Sequence, residues 1–318
     1  MIEKGSSVYS ASSGDERLDR RYAWAEAALK DGDPQAAIDI LDQTLAENYG
    51  FTAAWHLYGL AQETLGHNEE AATAWRQCLD LDPNDHVGAK LDLARIGALP
   101  AEQATSENFS GALFDGYAER FDSHLVRTLQ YQAPALLKEA LARHCEQADH
   151  PLHFGTVLDL GCGTGLMGEA IREETDFLAG CDLSPRMIAK AQAKTREGGG
   201  PLYDKLATAG LTAFLASRPD ASADLVIAAD VFVYLGDLAP CFYQSARVLK
   251  AGGLLAFTVQ SHEGEGITVG QDRRFAHAEA WVREALVDAG LKPAFVEPQS
   301  TRIDRGQPVP GLIVVAER

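Results

Sequence analysis

The sequence predicts a two-part α/β chain: a small all-α region of helical repeats, then a larger region in which strands and helices alternate around a mostly parallel sheet. Two observations carry this prediction. The first is a self-match at an offset of 34 residues, which sets Gly32 against Gly66, Ala37 against Ala71 and Leu41 against Trp75. The second is a strand, glycine-rich turn and helix starting at Thr156, followed by further strand and helix patterns to the C-terminus. With 318 residues, 46% hydrophobic and 23% charged, the chain has apolar material for one large or two smaller cores, which excludes a disordered or fibrous protein.

The second copy of the repeat, TAAWHLYGLAQETLGHNEEAATAWRQCLDLDP, places Trp55, Tyr58, Gly59, Gly66, Ala71, Trp75 and Pro83 in a large, large, small, Gly, Ala, aromatic, Pro order. This order resembles the tetratricopeptide repeat. The resemblance implies pairs of antiparallel helices in which Gly59 and Ala71 permit close approach while Trp55 and Trp75 fill the gap. A weaker copy precedes it, around Trp24 to Tyr49, and His86 to Leu99 reads as a capping helix stopped by Pro100. The expected function of such a unit is to hold a protein or peptide partner, with a plain packing module or self-association as the alternatives. Boundaries are expected at 16–99 for the repeats, 100–108 for a linker rich in small and polar residues, and 109–318 for the second region.

Thr156 to Leu160 is a short β-type run that feeds into Gly161-Cys162-Gly163-Thr164-Gly165 and then a helix-compatible stretch, Leu166 to Glu174. Glycines suit this turn because the backbone bends tightly and a ligand must approach closer than a Cβ permits. A second run, Phe177 to Cys181, ends in Asp182, 21 residues after Gly161, where an acid can accept hydrogen bonds from both hydroxyls of a ribose. Together they indicate a nucleoside-containing cofactor. Spacing alone leaves its kind open, since Gly163-x-Gly165-x-x-Gly168 also satisfies the dinucleotide pattern. Asp159, two positions before the first glycine, tips the choice: its carboxylate repels a pyrophosphate and favours an ammonium or sulfonium group.

The stretch VLDLGCGTG therefore resembles the first motif of the class I S-adenosylmethionine-dependent methyltransferases. The resemblance implies a Rossmann-like sheet of seven strands, one of them antiparallel, and S-adenosylmethionine as cofactor. By residue match Asp159, Gly161, Cys162, Gly163 and Gly165 inherit the methionine end of the cofactor, Asp182 the ribose, and Leu183 and Met187 the adenine flank. Ser184 reads as a helix N-cap with Pro185 at the first helical position. Ala209 and Gly210, after a weak third strand, occupy the segment that edges the adenine. Asp224 to Ala229 is the fourth strand, and Asp230-Val231-Phe232-Val233-Tyr234 takes the place of the family's fourth motif beside the reacting methyl. Residues 237–249 suit a helix. Val248 to Gly253 with LLAFTVQ matches the turn into strand five, Ala276 to Ala289 reads as the last long helix, and Lys292 to Glu297 with Gly311 to Ala316 forms a terminal antiparallel hairpin. The resemblance covers residues 109–318.

Ahead of the first strand, residues 109–150 are expected to form lid helices. Phe114-Asp115-Gly116-Tyr117-Ala118-Glu119-Arg120-Phe121-Asp122-Ser123-His124 carries aromatics at i, i+3 and i+7, a stripe that packs a helix against a core. In methyltransferases of this kind a similar helix folds over the cofactor, which assigns Tyr117 to its methionine end. Asp115 and Asp122 fit solvated faces equally well.

Methyl transfer is an in-line displacement that asks the protein for alignment and a dry cavity, and for a base where a neutral acceptor must lose a proton. His262, after strand five, and His277, opening the last helix, are the candidate bases, with Tyr234 positioned beside the methyl. Arg273 and Arg274 could receive an anionic substrate. The Asn/Asp-Pro-Pro-aromatic signature for exocyclic amines is absent, leaving oxygen, carboxylate, carbon or alkyl-amine acceptors on a small molecule or a protein.

Net charge is -18, from 28 basic and 46 acidic residues, spread evenly enough that no basic half exists for a polyanion; nucleic acid is not expected as a partner. Five scattered cysteines without a C-x-x-C pair read as reduced thiols. Met1 to Gly14 lacks a secretory pattern and no apolar run approaches a membrane span, so a cytoplasmic protein with no membrane partner is expected. His150 and His153 do not make a metal site, and none is expected. Two alternatives stand beside the methyltransferase: a scaffold that binds cofactor without catalysis, and an NAD(P)-dependent oxidoreductase.

Overall fold

The computed structural model describes residues 12–119, 121, 130–304 and 306–318. Most of the Met1 to Gly14 segment, and Arg120, Asp122, Ser123 and His124 of the aromatic stretch, lie outside the described residues. The chain divides into two compact units, Met1–Leu113 and Phe114–Arg318.

In the first unit, α1 (Glu16–Lys30) and α2 (Pro34–Glu47) form one helix pair, and α3 (Thr52–Thr64) and α4 (Asn68–Leu81) the next. The 34-residue self-match has a physical basis at each of its positions. Gly32 and Gly66 both adopt left-handed backbone, at φ 86° and 83°, in the turn between the helices of their pairs. Ala37, Ala71, Leu41 and Trp75 are all fully buried. A Cβ placed on Gly59 would lie 2.7 Å from Cδ1 of Trp75, so glycine is what lets the indole cross the helix at this level. Trp75 Nε1 donates to the His56 carbonyl over 3.2 Å. Trp55 differs from expectation. It is only half-buried, stacks edge-on against Tyr49 and Tyr58, and donates its Nε1–H to the Tyr49 carbonyl at 2.8 Å.

The expected cap is shorter than its sequence pattern. It forms α5 (Ala89–Arg95), because Asp85 and Gly88 hold left-handed backbone before it and Gly97 after it. Asp85, almost fully buried, accepts from Ala89 N at 2.6 Å and so caps the helix from outside. A buried cluster closes this end: Asp92 takes His56 Nε2 at 2.8 Å and Arg95 at 3.1 Å, and Arg95 also pairs with Glu63 at 2.7 Å. Residues 101–103 form a single 3-10 turn, and α6 (Glu107–Tyr117) follows.

The second unit is a twisted sheet between layers of helices. Its elements run α7 (Ala133–Gln147), β1 (Phe154–Leu160), α8 (Leu166–Ile171), β2 (Thr175–Asp182), α9 (Pro185–Ala193), β3 (Lys205–Thr208), α10 (Leu211–Ala216), β4 (Ala223–Ala228), α11 (Ala239–Val248), β5 (Leu249–His262), β6 (Ile267–Val269), β7 (Phe275–Ala278), α12 (Glu279–Asp288), β8 (Lys292–Pro298), β9 (Ile303–Asp304), β10 (Gln307–Pro308) and β11 (Gly311–Glu317). Strand order is β3-β2-β1-β4-β5-β11-β8, and β11 is antiparallel to both neighbours. This is the mostly parallel seven-strand sheet with one reversed strand that the sequence predicts. The far end of β5 also pairs with β7, which pairs antiparallel with β6.

Alternation along the central strands feeds two cores. Leu158, Val226, Phe257 and Val314 face one, and their neighbours Val157, Leu225, Ala256 and Ile313 face the other. Phe232, Phe242 and Phe257 stack within 5.9 Å of one another in the first core, each contributing roughly 1.5 to 3 kcal/mol of burial. Residues 275–278 correct the sequence reading: they form β7, not the start of the last helix, which begins at Glu279. All four are buried, and a buried strand this short has no alternation to separate it from a helix start.

Candidate cofactor and acceptor site

The carboxyl ends of β1, β2 and β4 open at one edge of the sheet, where parallel α/β folds hold ligands. The turn after β1 needs its glycines for two reasons. Gly161, Gly163 and Gly165 all hold left-handed backbone, with φ from 53° to 97°. The space beside them is also filled: a Cβ on Gly161 would lie 2.8 Å from Cβ of Val231, and one on Gly163 would touch the Phe121 ring at 3.5 Å. Cys162 turns its side chain into the core against Gly180, leaving only backbone groups at the turn.

Beneath the turn lies a buried pair that sequence reasoning half found. Asp159 is 1% exposed, and its Oδ2 accepts a 2.6 Å hydrogen bond from the hydroxyl of Tyr203, itself buried. Among the described residues Oδ1 of Asp159 has no hydrogen-bond partner. Burial pushes the Asp159 carboxyl up to about 7; the Tyr203 hydrogen bond opposes this shift and nearby Asp182 adds to it. The charge that favours a cation is therefore only partly present near neutral pH until a positive guest draws it out. Tyr203 was not singled out from the sequence, although a tyrosine next to a leucine just before a strand was the available signal.

Asp182, at the tip of β2, is nearly buried and ties the two ligand loops together. Its Oδ2 accepts from Gly163 N at 3.0 Å and its Oδ1 from Ser184 N at 2.8 Å. Burial raises its carboxyl pKa, with these backbone donors working the other way. Three backbone donors, Ser184, Gly163 and Leu183, use three of its four lone-pair sites, which leaves acceptance from a ribose open. Ala209 N donates to the Asp182 carbonyl at 3.0 Å, which sets Ala209 and Gly210 beside the acid. Of the two residues expected at the adenine, Leu183 is half-exposed, whereas Met187 is fully buried within α9 and offers no free surface. Ser184 caps α9 through Met187 N at 3.1 Å and accepts further support by donating to Asp115 at 2.6 Å.

The aromatic stripe forms a row above these loops. Tyr117 packs edge-on against Phe121 at 5.5 Å, Phe121 against Phe114 at 6.1 Å, and Phe114 against Tyr234 at 4.9 Å. The row runs from Gly163 to Tyr234. Arg274 lies over the Tyr234 ring at 5.6 Å; its partial burial opposes the charge, but Tyr234, Asp230 and Asp272 hold it protonated.

Asp230, expected among the cofactor-binding residues beside the reacting methyl, has both carboxylate oxygens engaged. It sits in left-handed backbone at φ 58°, donates its N–H to Thr258 Oγ1, and gives both oxygens to Arg302 at 2.8 Å. Arg302 also holds Gln260, and Tyr131, half-buried beside this group, donates to the Ala229 carbonyl at 3.4 Å. Burial and the nearby acids raise Tyr131 well above the usual phenol range.

The histidines are corrected as bases. His277 lies in β7, fully buried, and donates Nε2–H to the Gly236 carbonyl at 2.9 Å. Burial lowers it to about 4, so it is a neutral core residue stacked on Trp281. His262 accepts from Gly264 N at Nδ1 and donates from Nε2 to Gly266 O at 3.2 Å, so both ring nitrogens are engaged in its own turn. Among the described residues no group of three or more His, Cys, Asp or Glu forms a metal site, and no helix is long and apolar enough to cross a membrane.

Comparison with known proteins agrees with this geometry. Residues 158–255 match the model of a methyltransferase domain and residues 52–85 that of a tetratricopeptide repeat. The chain is 31% identical to human methyltransferase-like protein 27 over 152 residues, covering 47% of this chain and 57% of that protein. It is 30% identical to a ubiquinone biosynthesis O-methyltransferase of Paracidovorax citrulli over 110 residues, covering 34% of this chain and 44% of the relative. The chain thus spans about half the length of the curated relatives it matches. The solved structure of the [4+2]-cyclase SpnF shares the fold, with a TM-score of 0.56, 18% identity, and coverage of 67% of this chain and 97% of that one. Residues 158–255 are thus similar to a methyltransferase domain and residues 52–85 to a tetratricopeptide repeat, and the chain shares its fold with SpnF.

Proposed function

We propose that this protein transfers a methyl group from S-adenosylmethionine to an acceptor oxygen of a small or protein-borne substrate. The observation that carries the reading is the pairing of a glycine turn over buried Asp159 with Asp182 clamped to Gly163. The residues present fit the cofactor: an unpartnered buried carboxylate oxygen answers a cation, and three left-handed glycines leave the room a Cβ would fill. When bound, the cofactor supplies an electrophilic methyl on a sulfonium.

In this reading Asp159 faces the positive methionine end, Asp182 accepts from the ribose, and Leu183, Ala209 and Gly210 edge the adenine. The row Tyr117, Phe121, Phe114 and Tyr234 excludes water from the reacting end. With both ring nitrogens of His262 engaged in its own turn and His277 fully buried, an acceptor oxygen already anionic, a carboxylate or phenolate, fits best because it needs no base, and the charged Arg274 stands where such a group would be received. The name of the Paracidovorax relative supports oxygen as the acceptor atom. The repeat unit is assigned to a protein partner.

Incubation with methyl-tritiated S-adenosylmethionine and panels of carboxylic acids, phenols and amines tests the reading. Label in an oxygen acceptor supports it. Tight S-adenosylhomocysteine binding without label in any class supports the silent scaffold, a reading that the fold shared with a cyclase keeps alive.

A further inference from the structure

The space under the glycine turn is occupied by one side chain from a distant loop. A Cβ added to Gly168 would lie 2.8 Å from Cε2 of Tyr203, one added to Gly180 would lie 2.9 Å from Cε1, and one added to Gly165 would lie 3.1 Å from Cε2. Three glycines from the turn, α8 and β2 thus form a slot for this ring. The slot leaves the hydroxyl at Asp159 Oδ2, 2.6 Å away, and Asp159 Oδ1 buried without a hydrogen-bond partner among the described residues. Phenylalanine would fill such a slot as well, so packing alone does not account for the hydroxyl.

We propose that Tyr203 is a positioning residue for the cofactor: its hydroxyl pins Oδ2 of Asp159 and so leaves Oδ1 aimed and ionisable for the positively charged methionine end. The inference rests on the proposed cofactor. A hydrogen bond from a phenol stabilises the carboxylate over the acid, so it makes the charge easier to form in a site where burial resists it. Among the described residues the other ionisable groups around Asp159 are Asp182 and Cys181 on β2, Cys162 in the turn and Tyr131 ahead of α7; the acid opposes the charge, and the thiols and phenol stay neutral.

The test is titration of S-adenosylhomocysteine into the full chain and into Tyr203→Phe between pH 6 and 8.5, compared as the ratio of dissociation constants at each pH so that titration of the ligand cancels. The expected loss is about five- to tenfold at pH 7 and below, shrinking to within about twofold at pH 8.5, where Asp159 ionises unaided. In an Asp159→Asn background the same change should have no further effect. Should Tyr203→Phe not fold, 3,5-difluorotyrosine at this position, a stronger donor of similar shape, should move the pH midpoint of binding downward. Equal affinity at every pH, or a loss that does not recover at pH 8.5, overturns the role of Tyr203. Absence of binding by the unaltered chain instead overturns the cofactor reading itself.

Discussion

The carboxylate of Asp182 accepts a hydrogen bond from the amide of Gly163 over 3.0 Å, so the acid that ends β2 and the turn that follows β1 are mechanically one piece. A residue expected only to hold a ribose therefore also sets the shape of the loop expected to hold the methionine end. Asp182→Ala removes both functions. Affinity for S-adenosylhomocysteine should fall by roughly 2 to 3 kcal/mol, read by calorimetric titration. An unchanged dissociation constant would remove Asp182 from the site.

Gly59→Ala tests the repeat. Its new methyl meets the Trp75 indole, whose nearest ring carbon would be 2.7 Å away in a fully packed position. Overpacking of this kind costs about 1 to 3 kcal/mol, and urea unfolding followed by tryptophan fluorescence should show it. Thr64→Ala, at the exposed end of α3, should not.

Two buried groups give opposite pH dependences of stability. Asp159 sits at about 7 in the fold, above its unfolded value, so its contribution is complete below pH 4 and is lost as pH rises through 7. His277 sits at about 4, below its unfolded value near 6.5, so its contribution is present above 6.5 and is lost as pH falls toward 4. Asp159→Asn should raise stability at pH 8 relative to pH 5, and His277→Gln should flatten the decline between pH 6.5 and 4, by roughly 3 kcal/mol at most. Denaturant titrations at four pH values measure both; slopes of the opposite sign would place the wrong protonation states in the core.

Neither histidine should matter to turnover. His262→Gln should keep the parent rate within about threefold once an acceptor is in hand, because both ring nitrogens already serve the turn at Gly264 and Gly266. A loss of a hundredfold or more, with a pH profile to match, would return His262 to the chemistry.

The parts of the site that are local in the chain were legible in the sequence. Gly161 to Gly165, Asp159 and Asp182 announce themselves by spacing, and Phe114, Tyr117 and Phe121 by a helical period. What escaped is what topology brings together. Tyr203 reaches Asp159 across 44 residues, and Arg302 reaches Asp230 across 72, and neither carries a local pattern that names its partner. His277 was misplaced because four buried residues, Phe275 to Ala278, are too few to show alternation before the helix begins. The sheet order, by contrast, follows from strand and turn signals that are each short-range, and the reversed last strand from two closely spaced β-runs.

One titration bears on the whole account: S-adenosylhomocysteine and NADH, each added separately to the unaltered chain at pH 7.5. Saturable heat with S-adenosylhomocysteine and none with NADH is the expected result, because the buried acid under the turn admits a cation and turns away a pyrophosphate. Binding of NADH in its place would contradict it.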